Sequence, residues 1–285
     1  MRILVHGGAG RIEPEWEEAV LSGVKRARDA GWAVLASGGS ALEAAVEAVR
    51  VLEDDPAFNA GTGSALNRQG FVEMDAAVMI GEGLRFGGVA AVRDVKNPIL
   101  LAREVMDSEH ILLSGEGASL FARERGIPRY PPEALVTERA LARWQRIRRQ
   151  GGRTSGTVGA VALDAQGRLA AATSTGGIVD KRVGRVGDTP LVGAGTYAEA
   201  GLGAASATGE GEFLARALVA YRAVAALKTR SPEEAADEAL ALARELGGQG
   251  GLILLAADGS FAAVHTSPQM SHAWRGPEGE GAGLA

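Results

Sequence analysis

Apolar and polar positions change rhythm several times along this chain, and each change predicts an element. Residues 2–6 form a short apolar run that enters Gly7-Gly8-Ala9-Gly10. This predicts a buried strand ending where the backbone turns tightly or approaches something closely. Helical spacing follows. Ser40-Ala41-Leu42-Glu43 is a capping box, and Leu42, Ala45, Val46 and Val49 share one face of the helix it starts. The stretch 56–63 (PAFNAGTG) reads as a loop, and the segments around 71–79 and 87–92 read as strands of small residues. Asn97-Pro98 opens a further helix, with asparagine as cap and proline at its first position.

Residues 126–156 have a different texture. They carry Pro128 and Pro131-Pro132, a charged amphipathic stretch over 133–149, and a polar glycine-rich end, which together predict a linker. Immediately beyond it, two apolar runs (157–163 and 168–173) flank the turn Asp164-Ala165-Gln166-Gly167 and predict a hairpin. Helices are expected over 212–228 and 231–246, the second with Ser231 as cap, Pro232 first and Glu234 third. A second hairpin is expected over 250–266 around Asp258-Gly259. Hairpins and helices are grouped instead of alternating as βαβ units. The predicted class is therefore α+β with a largely antiparallel sheet, in one domain over 1–285.

Composition narrows the function. Hydrophobic residues make up 46% of the chain and aromatics only 5%, so the core is built mainly from Ala, Val, Leu and Ile. Charge is nearly balanced, 30 Lys and Arg against 35 Asp and Glu, without a long run of one sign; this argues against a nucleic-acid partner. The longest apolar stretches fall well short of the roughly 20 residues that cross a bilayer, and no signal peptide is read, so no membrane partner is expected. The absence of cysteine removes disulfides, thiolate metal sites and cysteine nucleophiles together, and favours a cytoplasmic protein.

The remaining chemistry is limited. No G-x-G-x-x-G or P-loop spacing occurs, and no serine lies in G-x-S-x-G. His6, His110, His265 and His272 are scattered without H-E-x-x-H, so a side-chain zinc site is not expected. His6, at a strand end, reads as a structural histidine or a catalytic one. Thr157 stands where the glycine-rich linker meets an apolar strand. By itself that is a strand beginning with a β-branched residue. If the Gly156–Thr157 bond were cut, however, Thr157 would own a hydroxyl and a free α-amine, nucleophile and base in one residue. An α-amine with a pKa of about 7.7–8.0 accepts a proton near neutrality.

Six motifs standing in order extend this reading. They are HGGAG (6–10), FNAGTGS (58–64) with MDAAVM (74–79), GTVGAVALD (156–164), TSTGG (173–177), GRVGDTPLVGAG (184–195) and ATGEGE (207–212). Together they resemble the plant-type L-asparaginase/isoaspartyl peptidase family, threonine-dependent N-terminal-nucleophile hydrolases that include glycosylasparaginase. The resemblance covers nearly the whole chain. It implies a four-layer α/β/β/α sandwich and self-cleavage at Gly156–Thr157 into an alpha subunit (1–156) and a beta subunit (157–285). It also implies pairing of two cleaved units into a homodimer.

The resemblance further implies a role for each matching residue. Thr157 would attack the side-chain amide of L-asparagine or the β-aspartyl bond of an isoaspartyl dipeptide, forming a β-aspartyl ester. Thr175 matches a second hydroxyl beside the nucleophile, and Thr208 and Gly209 match an oxyanion hole. Arg185 and Asp188 match the pair that grips the substrate's α-carboxylate and α-ammonium. Asn59 matches an active-site residue, and Glu210 and Gly211 lie in the substrate-binding run. No cofactor is implied beyond a structural sodium ion, held by backbone carbonyls near Leu52, Pro56, Phe58 and Ala60.

Plainer roles stand beside these. Arg185 and Asp188 also read as a surface ion pair, and Gly209 as a helix cap. Glu210 stands where relatives carry a small or hydroxyl residue, and Val179-Asp180 replaces a common Thr-Asn before Lys181. Glu210 is therefore expected to alter the leaving-group side of the pocket. The alternatives are a glycosylasparaginase and, from another class, an uncleaved scaffold that binds small amino acids.

Overall fold

The computed structural model describes residues 1–152 and 156–284; Arg153, Thr154 and Ser155, the end of the predicted linker, lie outside the described residues. The chain order is β1 (Arg2–Gly10), α1 (Glu17–Ala36), α2 (Ala41–Asp54), β2 (Met74–Ile80), β3 (Phe86–Val92), α3 (Pro98–Met106), β4 (Leu112–Ser114), α4 (Gly115–Glu124) and α5 (Glu138–Gln150). The second half contains β5 (Val158–Leu163), β6 (Leu169–Thr175), β7 (Thr196–Glu199), β8 (Gly203–Gly209), α6 (Gly211–Ala217), α7 (Val219–Ala226) and α8 (Pro232–Glu245). It closes with β9 (Gly250–Ala256), β10 (Phe261–His265), β11 (Gln269–Gly276) and β12 (Gly279–Gly283).

Two sheets organise these elements. One has the order β12-β11-β1-β5-β6-β2-β3-β4 and the other β10-β9-β8-β7. Among the strand pairs of the described residues only β3 and β4 run parallel, with one isolated parallel bridge between Val192 and Thr196, so the largely antiparallel expectation holds. Helices α1, α2 and α3 pack on the larger sheet and α7 and α8 on the smaller, while β5 and β6 touch β8. The apolar run of β5 follows from this. Val158, Ala160 and Ala162 belong to the core beneath the helices of the larger sheet, and Val161 and Leu163 to the core shared with the smaller sheet. Period-two alternation therefore buries both faces.

Local signals were read accurately where they are local. The box at Ser40 and Glu43 forms with both reciprocal bonds, as does the one at Ser231 and Glu234. Both hairpins form. Asn97 caps α3 by position, but its side chain makes no capping bond; it reaches Asp54 instead.

Three readings become more specific. The glycines after His6 do not turn but continue β1 to Gly10, paired with β11 across a bulge; they serve close approach, since a Cβ at Gly8 would stand 2.8 Å from the Gly156 Cα. The predicted linker carries structure through Gln150. Leu135, with Tyr130 and Trp144 of the same segment, packs on Leu66, Val72 and Met74. The helix expected over 212–228 is two helices, broken at Leu218 in a left-handed conformation (φ 49°). There the N–H groups of Ala220 and Tyr221 bond to the carbonyls of Ala194 and Gly193 instead of to the preceding turn, so tertiary contact overrides helical propensity.

Candidate active site

Thr157 immediately precedes β5 and is buried, 3% exposed. Pairing of Val158 with Ser174 in the β5–β6 hairpin brings it beside Thr175, the last residue of β6. Its hydroxyl donates to Thr175 Oγ1 at 3.2 Å, and that same oxygen accepts the Gly177 N–H at 2.9 Å. Gly177 has φ 79°, and a Cβ on it would stand 2.8 Å from Lys181 Nζ, so glycine is required here on both counts. Asn59 fastens the turn. Its Nδ2 donates to the Gly177 carbonyl at 2.7 Å, its Oδ1 accepts the Ala65 N–H at 2.6 Å, and its backbone carbonyl accepts the Gly176 N–H at 2.8 Å.

Thr208 lies at the end of β8, fully buried, and its Oγ1 accepts the Ala9 N–H at 3.1 Å. Gly209 ends the strand opposite Gly250. It is not a helix cap, because α6 begins at Gly211 with Glu210 in the cap position. The Ala9–Gly10 backbone divides two cavities. One, of about 390 Å³, is lined by Gly209, Glu210, Glu212 and Gln249 among others. The other, of about 60 Å³, reaches Gly8, Asn59 and Gly156.

Arg185 and Asp188 are not an exposed ion pair. Arg185 gives its Nε and Nη2 to Glu212, both bonds at 2.9 Å. Asp188 is 3% exposed, and its buried Oδ2 has no hydrogen-bond partner among the described residues. Gly211 closes this group, since a Cβ there would lie 2.7 Å from Asp188 Oδ1 and 2.9 Å from Arg185 Nη2. Burial pushes the Asp188 carboxyl up to about 7; Arg185 opposes this, and Asp75 and Glu212 add to it.

A buried hydroxyl chain runs between the sheets. His6 Nε2 meets Ser206 Oγ at 2.9 Å, Ser206 meets Thr173 at 2.8 Å, and Thr196 donates to Thr173 at 2.7 Å. Burial lowers the His6 pKa to about 3 against a backbone contact with Thr157 that favours the proton. His6 is therefore a neutral, buried histidine beside the Thr157 backbone.

Several polar residues at the site had no role in the sequence reading. Asp75 of β2 and Lys181 of the loop after β6 are buried, and Glu53 is fully buried behind β6, accepting from Ser174 Oγ at 2.6 Å and from the Ile99 N–H at 3.0 Å. The available signal was a lone charge in an apolar strand for Asp75 and a rare lysine in an arginine-rich chain for Lys181. Of the residues expected to hold sodium, Leu52 lies in α2 and Pro56, Phe58 and Ala60 in the loop that follows. The Pro56 and Phe58 carbonyl oxygens both lie 2.8 Å from where a Cβ of Gly63 would be. No helix among the described residues is long and apolar enough to cross a membrane.

Sequence comparison places the chain among known proteins. A family profile described as asparaginase matches residues 1–282. The isoaspartyl peptidase/L-asparaginase of Xenopus laevis is 48% identical over 280 residues, which cover 95% of this chain and 91% of that protein. The Homo sapiens protein of the same description is 46% identical, covering 94% of this chain and 91% of its own length. The plant-type L-asparaginase of Pyrococcus horikoshii is 43% identical, with 95% of each chain covered.

Proposed function

Because this chain belongs to the asparaginase family, we propose that it hydrolyses L-asparagine and N-terminal β-aspartyl peptides through Thr157 after cutting itself at Gly156–Thr157. The observation that carries this reading is the buried Thr157 hydroxyl, which follows the Gly156 junction and donates to Thr175. In maturation, Thr157 Oγ attacks the Gly156 carbonyl carbon and the peptide C–N bond breaks. Water then hydrolyses the resulting ester, leaving a Gly156 carboxylate and a free Thr157 amine.

The amine then serves as base. It takes the hydroxyl proton as Oγ attacks the substrate's side-chain carbonyl, and the proton passes to the departing ammonia or peptide amine. Water releases aspartate from the β-aspartyl ester. Thr208 Oγ1 and the Gly209 N–H donate to the tetrahedral oxyanion; loss of one such donor costs about 10²–10³ in kcat. Arg185 forks onto the α-carboxylate and Asp188 takes the α-ammonium. A clamp of both signs selects an aspartyl zwitterion and leaves the departing group to the 390 Å³ cavity.

The same reading treats the fold as a four-layer α/β/β/α sandwich, supported by helices packed on each sheet and by contact between the sheets. It takes the cytoplasmic working unit as a homodimer of cleaved units, 1–156 with 157–285. A structural sodium ion fits the 56–63 loop, where the Pro56 and Phe58 carbonyls converge on Gly63; bound there, it would brace the segment that carries Asn59. Denaturing electrophoresis and ammonia release test the proposal together. Wild type is expected to give two bands and turnover, and Thr157→Ala one band and none. A single wild-type band without turnover would instead support an uncut amino-acid-binding scaffold, and faster release from glycosylated asparagine would favour a glycosylasparaginase.

A further inference from the structure

Self-cleavage would create two ionisable groups side by side. Hydrolysis of the ester leaves a carboxylate on Gly156, and the Thr157 amine that was bonded to the same carbon becomes free to take up a proton. If the two stayed together they would pair, and an amine held as ammonium cannot serve as base. Gly156 is closely confined. It lies on Gly8, where a Cβ would stand 3.0 Å from the Gly156 carbonyl carbon, and a Cβ on Gly156 itself would meet the Asn59 Cβ at 3.4 Å.

The space beside Gly156 is cationic. Of the described residues lining the cavity of about 60 Å³ that Gly156 borders, three are charged, and all three are arginines: Arg11, Arg139 and Arg143. Arg139 and Arg143 are four residues apart in α5 and so share one face of that helix. Arg139 also braces the fold, donating to the Ala57 carbonyl and stacking on Trp16 with its guanidinium 3.9 Å from the ring centroid. Arg143 is different. Its Nε is buried without a hydrogen-bond partner among the described residues, and the nearby Glu13 pairs with Arg146 instead, at 2.5 Å. Burial lowers the Arg143 pKa to about 10, and the like charges of Arg139 and Arg146 push the same way against Glu13. A partly buried cation without a counter-ion is costly, so this corner of the uncut chain is arranged for an anion that arrives later.

We propose that Arg143, with Arg139, receives the carboxylate that maturation creates at Gly156 and draws it off Thr157. The Ala9–Gly10 backbone divides this cavity from the 390 Å³ cavity assigned to the leaving group. The new terminus is therefore held where it neither obstructs substrate nor pairs with the base. The segment that reads as a linker thus supplies, in α5, the site that holds its own cut end. Of the groups that face Thr157, His6 of β1 is buried and neutral and Thr175 of β6 is uncharged. The position of the Gly156 carboxylate accordingly governs when the amine loses its proton.

The proposal rests on self-cleavage at Gly156–Thr157, and the test separates the two. Wild type, Arg143→Met and Arg143→Lys are first checked for fragment formation by denaturing electrophoresis, which all three should show. Carboxypeptidase digestion followed by mass spectrometry of the 1–156 fragment then reads whether the terminus is held. Trimming of Arg143→Met should be about fivefold faster than that of wild type, with Arg143→Lys between them. Rates on L-asparagine across pH read the amine. In Arg143→Met the acid limb of kcat/KM should move up by about one pH unit, lowering activity about tenfold at pH 7 and less than about twofold at pH 9. Asp188 supplies the other part of that limb and is untouched by the substitution. Should Arg143→Met fail to fold, Arg143→Lys, which keeps the charge but not the fork, carries the same comparison. Equal trimming of wild type and Arg143→Met in chains that have cleaved overturns this proposal alone. A wild-type chain that stays whole overturns self-cleavage and this proposal with it.

Discussion

Thr175 Oγ1 accepts two hydrogens, from the Thr157 hydroxyl at 3.2 Å and from the Gly177 N–H at 2.9 Å. It therefore orients the Thr157 hydroxyl while being oriented itself by the turn after β6. Thr175→Val keeps the shape and removes the acceptor. We expect kcat to fall about 10–100-fold with little change in KM, and fragment formation to slow in parallel. Time-resolved electrophoresis and initial rates check both; a normal kcat would remove Thr175 from the mechanism.

Asp188 should make activity pH-dependent. In the proposed clamp its carboxyl, pushed up to about 7 by burial, must be ionised to take the α-ammonium, so binding should weaken as pH falls below that value. The Thr157 amine, with an ordinary pKa of about 7.7–8.0, is protonated over the same range. Loss of both should give kcat/KM an acid limb with a slope approaching two in log units. Asp188→Asn should lower kcat/KM and leave a slope of one.

Glu53 should make stability pH-dependent. Burial raises its carboxyl to about 8, with the bonds from Ser174 and Ile99 opposing. A group whose folded pKa lies above its unfolded value stabilises fully below the unfolded pKa, about 4.3 for glutamate. That contribution is lost as pH rises toward about 8, at about 1.4 kcal/mol per pH unit. Glu53→Gln keeps a neutral hydrogen-bonding group. It should raise Tm relative to wild type more at pH 8 than at pH 5; equal differences at both would show that Glu53 ionises normally.

Glu210 lines the larger cavity, and its Oε2 accepts the Gln249 N–H at 2.9 Å. It therefore places a carboxylate on the cavity assigned above to the leaving group and ties down the turn before β9. Glu210→Thr should increase turnover of β-aspartyl dipeptides with acidic leaving groups several-fold relative to L-asparagine. Unchanged substrate ratios would confine Glu210 to bracing that turn.

The sequence by itself determined the features that depend on near neighbours. The caps at Ser40 and Ser231 and both hairpins follow from spacing of three or four residues and from short turns, which operate before any tertiary contact forms. The ordered motifs also singled out the residues to which the proposed chemistry is assigned, because Thr157, Thr175, Thr208, Arg185 and Asp188 all lie within them. Tertiary structure decided how those residues are arranged. Thr208 meets Ala9 from 199 positions away, and Arg185 pairs with Glu212 instead of Asp188. Burial by distant elements also sets the charge states of Glu53, Asp188 and His6. Local pattern specifies which faces are apolar. Desolvation and Coulomb energy depend on what the completed fold packs against each group, which no short window of sequence contains.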